Sequence, residues 1–430
     1  MKSVGTIVAL SSGVPPSAIA IVRASGPEAV AVARAFAIDG LRPRRAAVRD
    51  VRSPLDDSVL DKAVCLLFPG PGSATGEDVL ELHLHGGPAL VERVLSDALT
   101  VPGVRAAEPG EFTLRAVLNG RMGLADAEGL ADLIEARTES ERRRATRLAD
   151  GALSRQVADW RARLIGTLAL CEAYLDFSDE GDVGDASPEI DPALNGLREE
   201  IEGALLGSDQ ADRLSDGFHV AFVGPPNAGK SSLLNALAGR DVAIVSDEAG
   251  TTRDVVSVSL ELGGYRVILH DTAGIRDGAS GIEALGIART EATRDRADFV
   301  VEVRSPDTNP LRVAGVGIVV GHKCDLGRVD GTEIETTCSD AASIATLKEK
   351  IAAQAAAGLA RSEAALITRA RQRSALLGVV EGIDDALDSH ALEVKAEGLR
   401  LACQAMARMT GEIGIEDVLD DVFGRFCLGK

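Results

Sequence analysis

The sequence predicts a multidomain α/β protein with an N-terminal α+β domain, an all-α helical domain, and a further α/β domain inserted into the helical one. Strand-like and helix-like apolar patterns alternate up to residue 118, whereas apolar residues recur at three- and four-residue steps over 124–206 and again over 362–410. The segment 217–358 returns to alternating strands and helices. We therefore expect the two helical stretches to form one domain, and we predict the domain bounds 1–118, 119–213, 214–360 and 361–430.

The N-terminal domain is expected to begin with a strand, because the apolar segment within residues 1–10 is too short and too lightly charged for a signal peptide. Further patterns predict strands over 6–10, 18–22, 62–68 and 79–85, and helices over 27–36 and 88–99. In the helical domain, we interpret the charged run Glu139-Ser-Glu-Arg-Arg-Arg144 as the solvated face of a helix rather than as an RNA-binding patch.

Composition and charge limit the classes of function. The 430 residues carry a formal net charge of −20, which disfavours indiscriminate nucleic-acid binding, so an RNA partner would need a local basic surface or a second protein. No apolar run approaches the length of about 18 residues that a membrane span needs. The six cysteines are scattered without a Cys-x-x-Cys pair. The scattered cysteines predict reduced thiols and a cytoplasmic protein, and the lack of long apolar runs predicts no membrane partner.

The most informative motif is Gly224-Pro-Pro-Asn-Ala-Gly-Lys-Ser231, which fits the P-loop pattern of a glycine, four residues and Gly-Lys-Ser. It follows the apolar run 220–223 and precedes a helical pattern, so it lies where a strand ends and a helix begins. Glycines let the backbone wrap a polyphosphate, and a helix N-terminus adds positive potential. We expect Lys230 to reach the β- and γ-phosphates and Ser231 to bind Mg²⁺.

Two further motifs complete the predicted phosphate chemistry. Asp271-Thr-Ala-Gly274 ends a second apolar strand, so Asp271 is expected to hold Mg²⁺ through water and the Gly274 amide to sense the γ-phosphate. In the preceding Gly-Thr-Thr loop, Thr252 is expected to join the Mg²⁺ shell only when the γ-phosphate is present. Because Ile275 stands where small GTPases carry a water-orienting glutamine, Glu283 is our candidate for polarising the attacking water.

The base is expected to be guanine. After a further strand pattern, His322-Lys-Cys-Asp325 occupies the place of an Asn-Lys-x-Asp motif. Asp325 can accept from guanine N1–H and the exocyclic amine, Lys323 can lie over the ring, and His322 can reach guanine N7 or the P-loop. The inserted domain is therefore predicted to be a P-loop α/β GTPase domain, and its predicted GTP-binding residues are Asn227, Ala228, Gly229, Lys230, Ser231, Ser232, Ser246, Thr251, Thr252, Asp271, Thr272, Ala273, Gly274, His322, Lys323 and Asp325.

Together with the two ends of the chain, these residues resemble the MnmE (TrmE) family of tRNA-modification GTPases. The likeness covers essentially the whole chain, and its most specific segments are 6–9, 21–23, 75–87, 109–121, 176–180, the P-loop with 250–254, and 426–430. The resemblance implies an enzyme that hydrolyses GTP and, with the flavoprotein MnmG, adds a carboxymethylaminomethyl or aminomethyl group at C5 of the wobble uridine of certain tRNAs. It also implies a homodimer formed by a folate-binding N-terminal domain.

The resemblance further implies site residues for the one-carbon donor, 5,10-methylene- or 5-formyl-tetrahydrofolate. The positions that match the folate site of the family are Arg23, Glu81, Arg121 and Lys430. Cationic groups suit the glutamyl carboxylates of folate, and a carboxylate can pair with the amino-pyrimidine edge of the pterin.

Members of this family are similar to K⁺-dependent GTPases, in which the ion takes the place of an arginine finger. The positions implied for K⁺ are Asn227, Ser246, Glu248 and Thr251. Glu283 matches the catalytic glutamate of the family. Cys427 matches its C-terminal cysteine, for which a nucleophilic and a merely structural role both stay open.

Two other hypotheses remain at this point. A GTP-switched RNA-binding factor for ribosome assembly, similar to Era, would need a basic RNA module, and nothing after residue 360 has that pattern. A folate-binding dimer with a decayed nucleotide site is suggested by His322, and a titration comparing GTP with ATP would test it. His83 and His85 could mimic a metal pair on one strand face, but packing and hydrogen bonding are favoured because no third ligand is evident.

Overall fold

The computed structural model describes residues 5–176, 187–208, 210–239, 257–271, 297–309, 315–410 and 429. The chain divides into two compact units. One comprises Met1–Ile134, Arg147–Leu194 and Glu381–Lys430, and the other comprises Glu135–Thr146 and Asn195–Val380. The four predicted domain bounds divide the chain differently and stay a prediction.

The first unit begins with a six-stranded sheet of order β3-β4-β5-β2-β1-β6. Its elements are β1 (Thr6–Leu10), β2 (Ser17–Ser25), α1 (Ala29–Ala35), β3 (Ala47–Arg52), β4 (Val59–Phe68), β5 (Val79–Gly86), α2 (Pro88–Ala98) and β6 (Val104–Ala106). The four predicted strands and both predicted helices are therefore present. Strands β3 and β6, which form the two edges of the sheet, were not predicted.

The two faces of this sheet differ in chemistry because side chains alternate along a strand. Val22, Leu80, Leu82 and Leu84 point into a core that includes residues of α1 and α2. The opposite face carries polar side chains from the intervening positions of β2 and β5, and the helix α3 (Glu111–Leu118) contributes Phe112 to a small second cluster with residues of β1.

A set of helices follows: α4 (Leu124–Glu135), α5 (Glu139–Ala149), α6 (Ala152–Asp176) and α7 (Ser187–Ser208). Helix α5 contains the charged run, and the structure corrects its interpretation in part. Glu139, Arg142 and Arg143 are exposed, but Arg144 is buried. Its guanidinium donates to the carbonyl oxygens of Ala211 at 2.7 Å and Ser362 at 3.5 Å. A guanidinium can be buried when carbonyl oxygens accept hydrogen bonds from its N–H groups, so a solvated face is wrong for this residue.

The second unit is built on the sheet β12-β11-β10-β7-β9-β8, in which only the edge pair β8–β9 is antiparallel. Its elements are α8 (Arg213–Asp216), β7 (Phe218–Val223), α9 (Lys230–Ala238), β8 (Ser257–Leu262), β9 (Tyr265–Asp271), β10 (Phe299–Arg304), β11 (Ile318–His322), β12 (Ile334–Thr336) and α10 (Ala341–Ala364). Its parallel strands are nearly continuous apolar runs, as expected for strands that are covered on both faces. Their carboxyl ends share one edge of the sheet, where ligands of such folds bind.

The chain ends with α11 (Ala370–Leu387) and α12 (Leu392–Thr410), and α12 packs along α6. Helices α11 and α12 approach each other closely at two glycines. A Cβ atom added to Gly382 would lie 2.7 Å from the carbonyl oxygen of Gly398, and one added to Gly398 would lie 2.7 Å from that of Gly382. Within the described ranges, no helix combines the length and the apolar character that crossing a membrane requires.

Candidate functional site

The P-loop occupies the turn between β7 and α9, as predicted. Its backbone has positive φ angles at Gly224 (151°), Asn227 (64°) and Gly229 (90°). A Cβ at Gly229 would lie 2.5 Å from Cδ2 of His322, and one at Gly224 would collide with the carbonyl oxygen of Val303. The loop therefore needs glycine at both positions. Such a tightly wound loop at a helix N-terminus fits a polyphosphate, because backbone N–H groups can point inward.

Lys230 is the first residue of α9 and is only 4% exposed. Its ammonium group donates to the carbonyl oxygens of Gly224 and Pro225, each at 2.9 Å. Burial lowers the pKa of Lys230, and the charge of nearby Asp271 opposes that shift. The loop thus holds a buried cation, whose positive charge can bind the negative charge of a phosphate group.

Two predicted magnesium-site residues from different elements meet beside this lysine. The Ser231 hydroxyl, in the first turn of α9, donates to Oδ2 of Asp271 at the end of β9, across 2.5 Å. A serine hydroxyl and a carboxylate are the groups that hold Mg²⁺ in P-loop proteins. The donor set therefore fits the ion.

The residue before Asp271 belongs to a stacked histidine pair. The rings of His219 and His270 lie 5.1 Å apart and 9° from parallel, and Nδ1 of His219 is 2.9 Å from Nε2 of His270. Burial, with a contribution from His219, lowers the pKa of His270 to about 4. His270 is therefore neutral near pH 7, so it places no positive charge beside the predicted Mg²⁺ site.

His322 lies against the P-loop rather than open to solvent, since it is 2% exposed and its ring edge packs on Gly229. Its Nδ1 is 3.0 Å from the Thr336 hydroxyl, which itself donates to the carbonyl oxygen of Gly321 at 3.1 Å. Burial lowers the pKa of His322, Lys323 lowers it further, and Asp325 raises it. Sequence reasoning missed the role of Thr336, because no local pattern links it to a histidine 14 residues earlier.

Lys323 and Asp325 follow directly after the end of β11 at His322. The Lys323 ammonium donates to the backbone oxygen of Asn227 at 2.7 Å and to Asp307 at 2.9 Å. Asp325 accepts a hydrogen bond from the Thr337 hydroxyl at 3.0 Å. The structure thus brings His322 and Lys323 to the P-loop. It also adds Asp307 as a partner of Lys323 and Thr337 as a partner of Asp325, which no local sequence pattern indicates.

A second cluster lies on the polar face of the N-terminal sheet. Arg23 of β2 and Glu81 of β5 are directly opposite in the sheet register, and Nε of Arg23 is 3.0 Å from Oε1 of Glu81. The other carboxylate oxygen of Glu81 is 3.1 Å from Nε2 of His83. The Arg23 guanidinium also lies over the Phe112 ring, 5.6 Å from its centroid. The arrangement combines a carboxylate, a cation and an aromatic face.

The third predicted folate residue, Arg121, lies after α3. Its aliphatic stem passes Gly76, where an added Cβ would be 3.3 Å from Cγ of the arginine. The neighbouring Thr75 is hydrogen-bonded to Ser25, with 2.7 Å between their hydroxyl oxygens. Because Ser25 lies two residues after Arg23 on the same face of β2, the Arg121 segment is connected to that face.

The end of the chain returns to the first strand. The backbone oxygen of Gly429 accepts a hydrogen bond from the Ser11 hydroxyl at 2.8 Å, just after β1. Ser11 in turn follows Leu10, which pairs with Val22 of β2 in the sheet register. The described part of the C-terminal segment is therefore held beside the strand that carries Arg23.

The two strand histidines of β5 bind carboxylates. His83 contacts Glu81, and Nδ1 of His85 is 2.8 Å from Oδ1 of Asp61. In the ranges that the structure covers, no group of three or more metal-ligating side chains is assembled. The histidines therefore make hydrogen bonds of the kind that was favoured over a metal pair.

Several predicted site residues lie outside the described residues. They are Ser246, Glu248, Thr251, Thr252, Thr272, Ala273, Gly274, Glu283, Cys427 and Lys430. The acidic segment 177–180, which contributed to the resemblance, also lies outside them. Their assignments stay predictions.

Two protein families match the chain. The family described as the MnmE helical domain matches residues 124–427, and the family described as the GTP-binding protein TrmE N-terminus matches residues 6–121. Together they span nearly the whole chain.

Curated relatives align along their entire length. A protein of Methylobacterium radiotolerans named tRNA modification GTPase MnmE is 47% identical over 445 residues, covering 100% of both chains. A protein of the same name from Azorhizobium caulinodans is 46% identical over 437 residues, again with 100% of each chain covered. With these matches, the predicted fold class is confirmed: an N-terminal domain, a helical domain and a P-loop GTPase domain in a mixed α/β protein.

Among solved structures, the G domain of the FeoB iron transporter of T. maritima is similar to part of this chain. It is 26% identical and covers 32% of this chain and 98% of its own, with a TM-score of 0.24. A TM-score of that size carries no structural conclusion.

Proposed function

The chain belongs to the MnmE family of tRNA modification GTPases, and from that premise we propose that it couples GTP hydrolysis to modification of the wobble uridine of certain tRNAs. In this proposal, a flavoprotein partner, MnmG, acts with it to add a carboxymethylaminomethyl or aminomethyl group at C5. A reduced folate supplies the one-carbon unit. GTP turnover drives a rearrangement of domains rather than the carbon chemistry.

GTP binding is supported by one observation: Lys230, Ser231 and Asp271 lie together at the P-loop. When bound, Mg²⁺ would neutralise the negative charge that develops on the β- and γ-phosphates. Lys230 would bind the phosphate oxygens, Ser231 would be a direct ligand of the ion, and Asp271 would orient its water. We extend the nucleotide contacts to Ala228, Ser232, Thr272 and Ala273, and the Mg²⁺ shell to Thr252.

The base part of the proposal rests on the end of β11. Thr337 orients the Asp325 carboxylate, which would accept from both guanine N–H groups. Lys323 is tied to the loop backbone at Asn227, so its aliphatic stem could cover the base. His322 packs under Gly229, and we assign it to shaping the P-loop rather than to reading guanine.

For hydrolysis, we propose that K⁺ binds beside the P-loop and stabilises the charge of the transition state. Asn227, which holds a left-handed backbone conformation at φ 64°, would contribute to that site. Ser246, Glu248 and Thr251 would complete the site, Gly274 would sense the γ-phosphate, and Glu283 would polarise water. Faster hydrolysis in KCl than in NaCl at equal ionic strength supports this part, and equal rates count against it.

For the folate, we propose the polar face of the N-terminal sheet. Glu81 would face the amino-pyrimidine edge of the pterin, and Arg23 and Arg121 would face carboxylates of the ligand. Lys430 would join them, because the neighbouring Gly429 is held at Ser11 beside β1. We further propose that this domain forms the homodimer, and that Cys427 contributes a thiol near the same site.

A tRNA partner is expected for this family, but the negative net charge of the chain does not favour binding RNA. A net charge of −20 repels a polyanion, so we propose that MnmG supplies part of the tRNA-binding surface and that both proteins act in the cytoplasm.

The decisive experiment is mass spectrometry of wobble uridines in a strain that lacks this protein. The modified nucleosides should disappear, and they should return when the wild-type protein is supplied but not when a Ser231→Ala variant is supplied. Unchanged modification in the deletion strain would reject the proposal. A titration with GTP and ATP, done in parallel, separates an active guanine site from a decayed one.

A further inference from the structure

An exposed cysteine lies at the rim of the nucleotide site. Cys338 belongs to the short loop between β12 and α10, and its side chain is exposed. Its sulfur is 3.6 Å from Nε2 of His322 and 3.7 Å from the backbone oxygen of Ser232, in the first turn of α9. The thiol therefore lies between the buried histidine and the helix that follows the P-loop.

The hydrogen bonds of His322 decide which ring nitrogen faces this thiol. The end of β11 offers the carbonyl oxygen of Gly321, which can only accept, so the Thr336 hydroxyl must give its proton to it. The same hydroxyl oxygen must then accept from Nδ1–H of His322. Neutral His322 is thus protonated on Nδ1, and Nε2 presents a lone pair to Cys338.

This lone pair belongs to a ring that is almost wholly buried. His322 is 2% exposed, and among the described residues its Nε2 has no hydrogen-bond partner other than the Cys338 sulfur. Burial lowers the pKa of His322 and so keeps the ring neutral, which leaves the lone pair of this nitrogen available to a thiol that donates to it.

The other cysteines in the described ranges have different surroundings. Burial raises the pKa of Cys65 to about 11, and burial also raises the pKa of Cys171, Cys324 and Cys403. Cys324, the nearest of them in sequence, donates to the backbone oxygen of Thr336 at 2.8 Å. Of these residues, Cys338 is the one that combines an exposed side chain with a neighbouring imidazole nitrogen that can accept its proton.

We propose that Cys338 is a thiol-modification site that reacts with small disulfides, such as oxidised glutathione, and that its modification closes the guanine-nucleotide site. In the reaction, His322 Nε2 accepts the thiol proton and the Cys338 sulfur attacks one sulfur of the disulfide. A new S–S bond forms, the old one breaks, and the released thiolate takes up the proton. One protein thiol and one disulfide thus give one mixed disulfide and one free small thiol.

The position of the mixed disulfide explains its effect, which rests on the proposed guanine site. The sulfur contacts the first turn of α9, next to Ser231, and its residue follows Thr337, the residue that orients Asp325. An added tripeptide would displace the loop from α9 and fill the space beside Asp325. Conversely, bound nucleotide would cover the thiol and protect it.

The test is carried out on the full-length protein with oxidised glutathione as the probe, and the modified residue is located by mass spectrometry. We expect Cys338 to react at least about tenfold faster than Cys324, GTP to slow that reaction, and modification to weaken GTP binding by at least about tenfold. Cys338→Ser should keep GTP binding and make it insensitive to the disulfide. Cys324→Ser, the matched control, should stay sensitive.

Measuring GTP binding by the reduced protein distinguishes the thiol proposal from the proposed function. If the reduced chain binds GTP but Cys338 reacts no faster than Cys324, or if its modification leaves GTP binding unchanged, the thiol proposal is overturned and the proposed function stands. If the reduced chain binds no guanine nucleotide, the proposed function fails, and the control of that site by Cys338 fails with it. A His322→Asn variant should lower the reaction rate at Cys338 without changing that at Cys324, and an unchanged rate would exclude the histidine as proton acceptor.

Discussion

The Ser231 hydroxyl lies 2.5 Å from the Asp271 carboxylate, and this contact joins the first turn of α9 to the end of β9. The two residues are far apart in the sequence, but Ser231 follows β7 and Asp271 ends β9, and these two strands lie side by side in parallel. The parallel pairing of β7 with β9 therefore brings the two halves of the predicted Mg²⁺ site together.

Replacing Asp271 with asparagine should remove the charge that orients Mg²⁺-bound water while preserving the shape of the side chain. Because outer-shell partners of a metal set its affinity and activity, we expect GTP hydrolysis to fall by about 10- to 100-fold. The measurement is the rate of phosphate release across a Mg²⁺ titration. Asp330→Asn, at an exposed position of the same unit, is the control and should keep the wild-type rate. A D271N enzyme with an unaltered Mg²⁺ dependence would contradict the assignment.

Gly229 and Gly203 should respond in opposite ways to replacement by alanine. At Gly229, where φ is 90°, an added side chain would strain the backbone and collide with the His322 ring. Gly229→Ala should therefore lower the free energy of unfolding by about 1–2 kcal/mol or more and abolish GTP binding. At Gly203, inside α7, an added Cβ meets nothing within 4 Å. Gly203→Ala should therefore stabilise the protein by about 0.5–1 kcal/mol. Urea titrations of both variants measure the difference, and equal effects would show that the P-loop is not this tightly packed.

His322 should make stability depend on pH. Its pKa in the folded protein lies below the ordinary value of 6.5, chiefly because it is buried. As the pH falls below 6.5, the unfolded chain takes up a proton at this residue before the folded chain does, so the free energy of unfolding decreases. His322→Asn should reduce this loss, as judged from urea midpoints at about pH 7.5 and about pH 5.5.

The control for that comparison is the exposed His390. His390→Asn should leave the pH dependence of the wild type intact, since an exposed imidazole is solvated in both states. If H322N and H390N show the same slope, burial of His322 is not the cause.

Glu81→Gln should weaken folate binding without unfolding the sheet, since the amide keeps the size of the carboxylate. Losing one hydrogen bond to a charged group corresponds to about a 10- to 100-fold loss of affinity. Equilibrium titration with 5-formyltetrahydrofolate measures the dissociation constant of each variant. Glu92→Gln, on an exposed position of α2, makes the same chemical change elsewhere in the domain and should bind as the wild type does. Equal affinities for the two variants would move the folate site away from this face.

Much of the fold could be predicted because local patterns determine it. The P-loop, its strand and its helix follow from one motif, and four strands of the N-terminal sheet follow from apolar runs. The edge strand β3 was not predicted because it contains Ala-Val-Arg-Asp-Val-Arg, whose charged residues interrupt the apolar pattern of a strand. An edge strand exposes more of its residues and so needs fewer apolar ones.

The sequence motifs of the site could be predicted, but the hydrogen-bond partners of its residues could not. Burial of Arg144 depends on the carbonyl oxygens of Ala211 and Ser362, which are distant in the sequence. The tautomer of His322 depends on Thr336, and the position of Lys323 depends on Asp307. Such contacts are set by the packing of elements, and no spacing rule predicts them.

The mutual approach of Gly382 and Gly398 has a dynamic consequence. Where two backbones touch directly, neither helix can slide or open without breaking contact along the other, so α11 and α12 should open as one cooperative block. Their amide protons around the crossing should exchange with deuterium at a common rate, set by that joint opening rather than by fraying of either helix. Two clearly separate rates would mean that the glycines merely permit contact and do not couple the two helices.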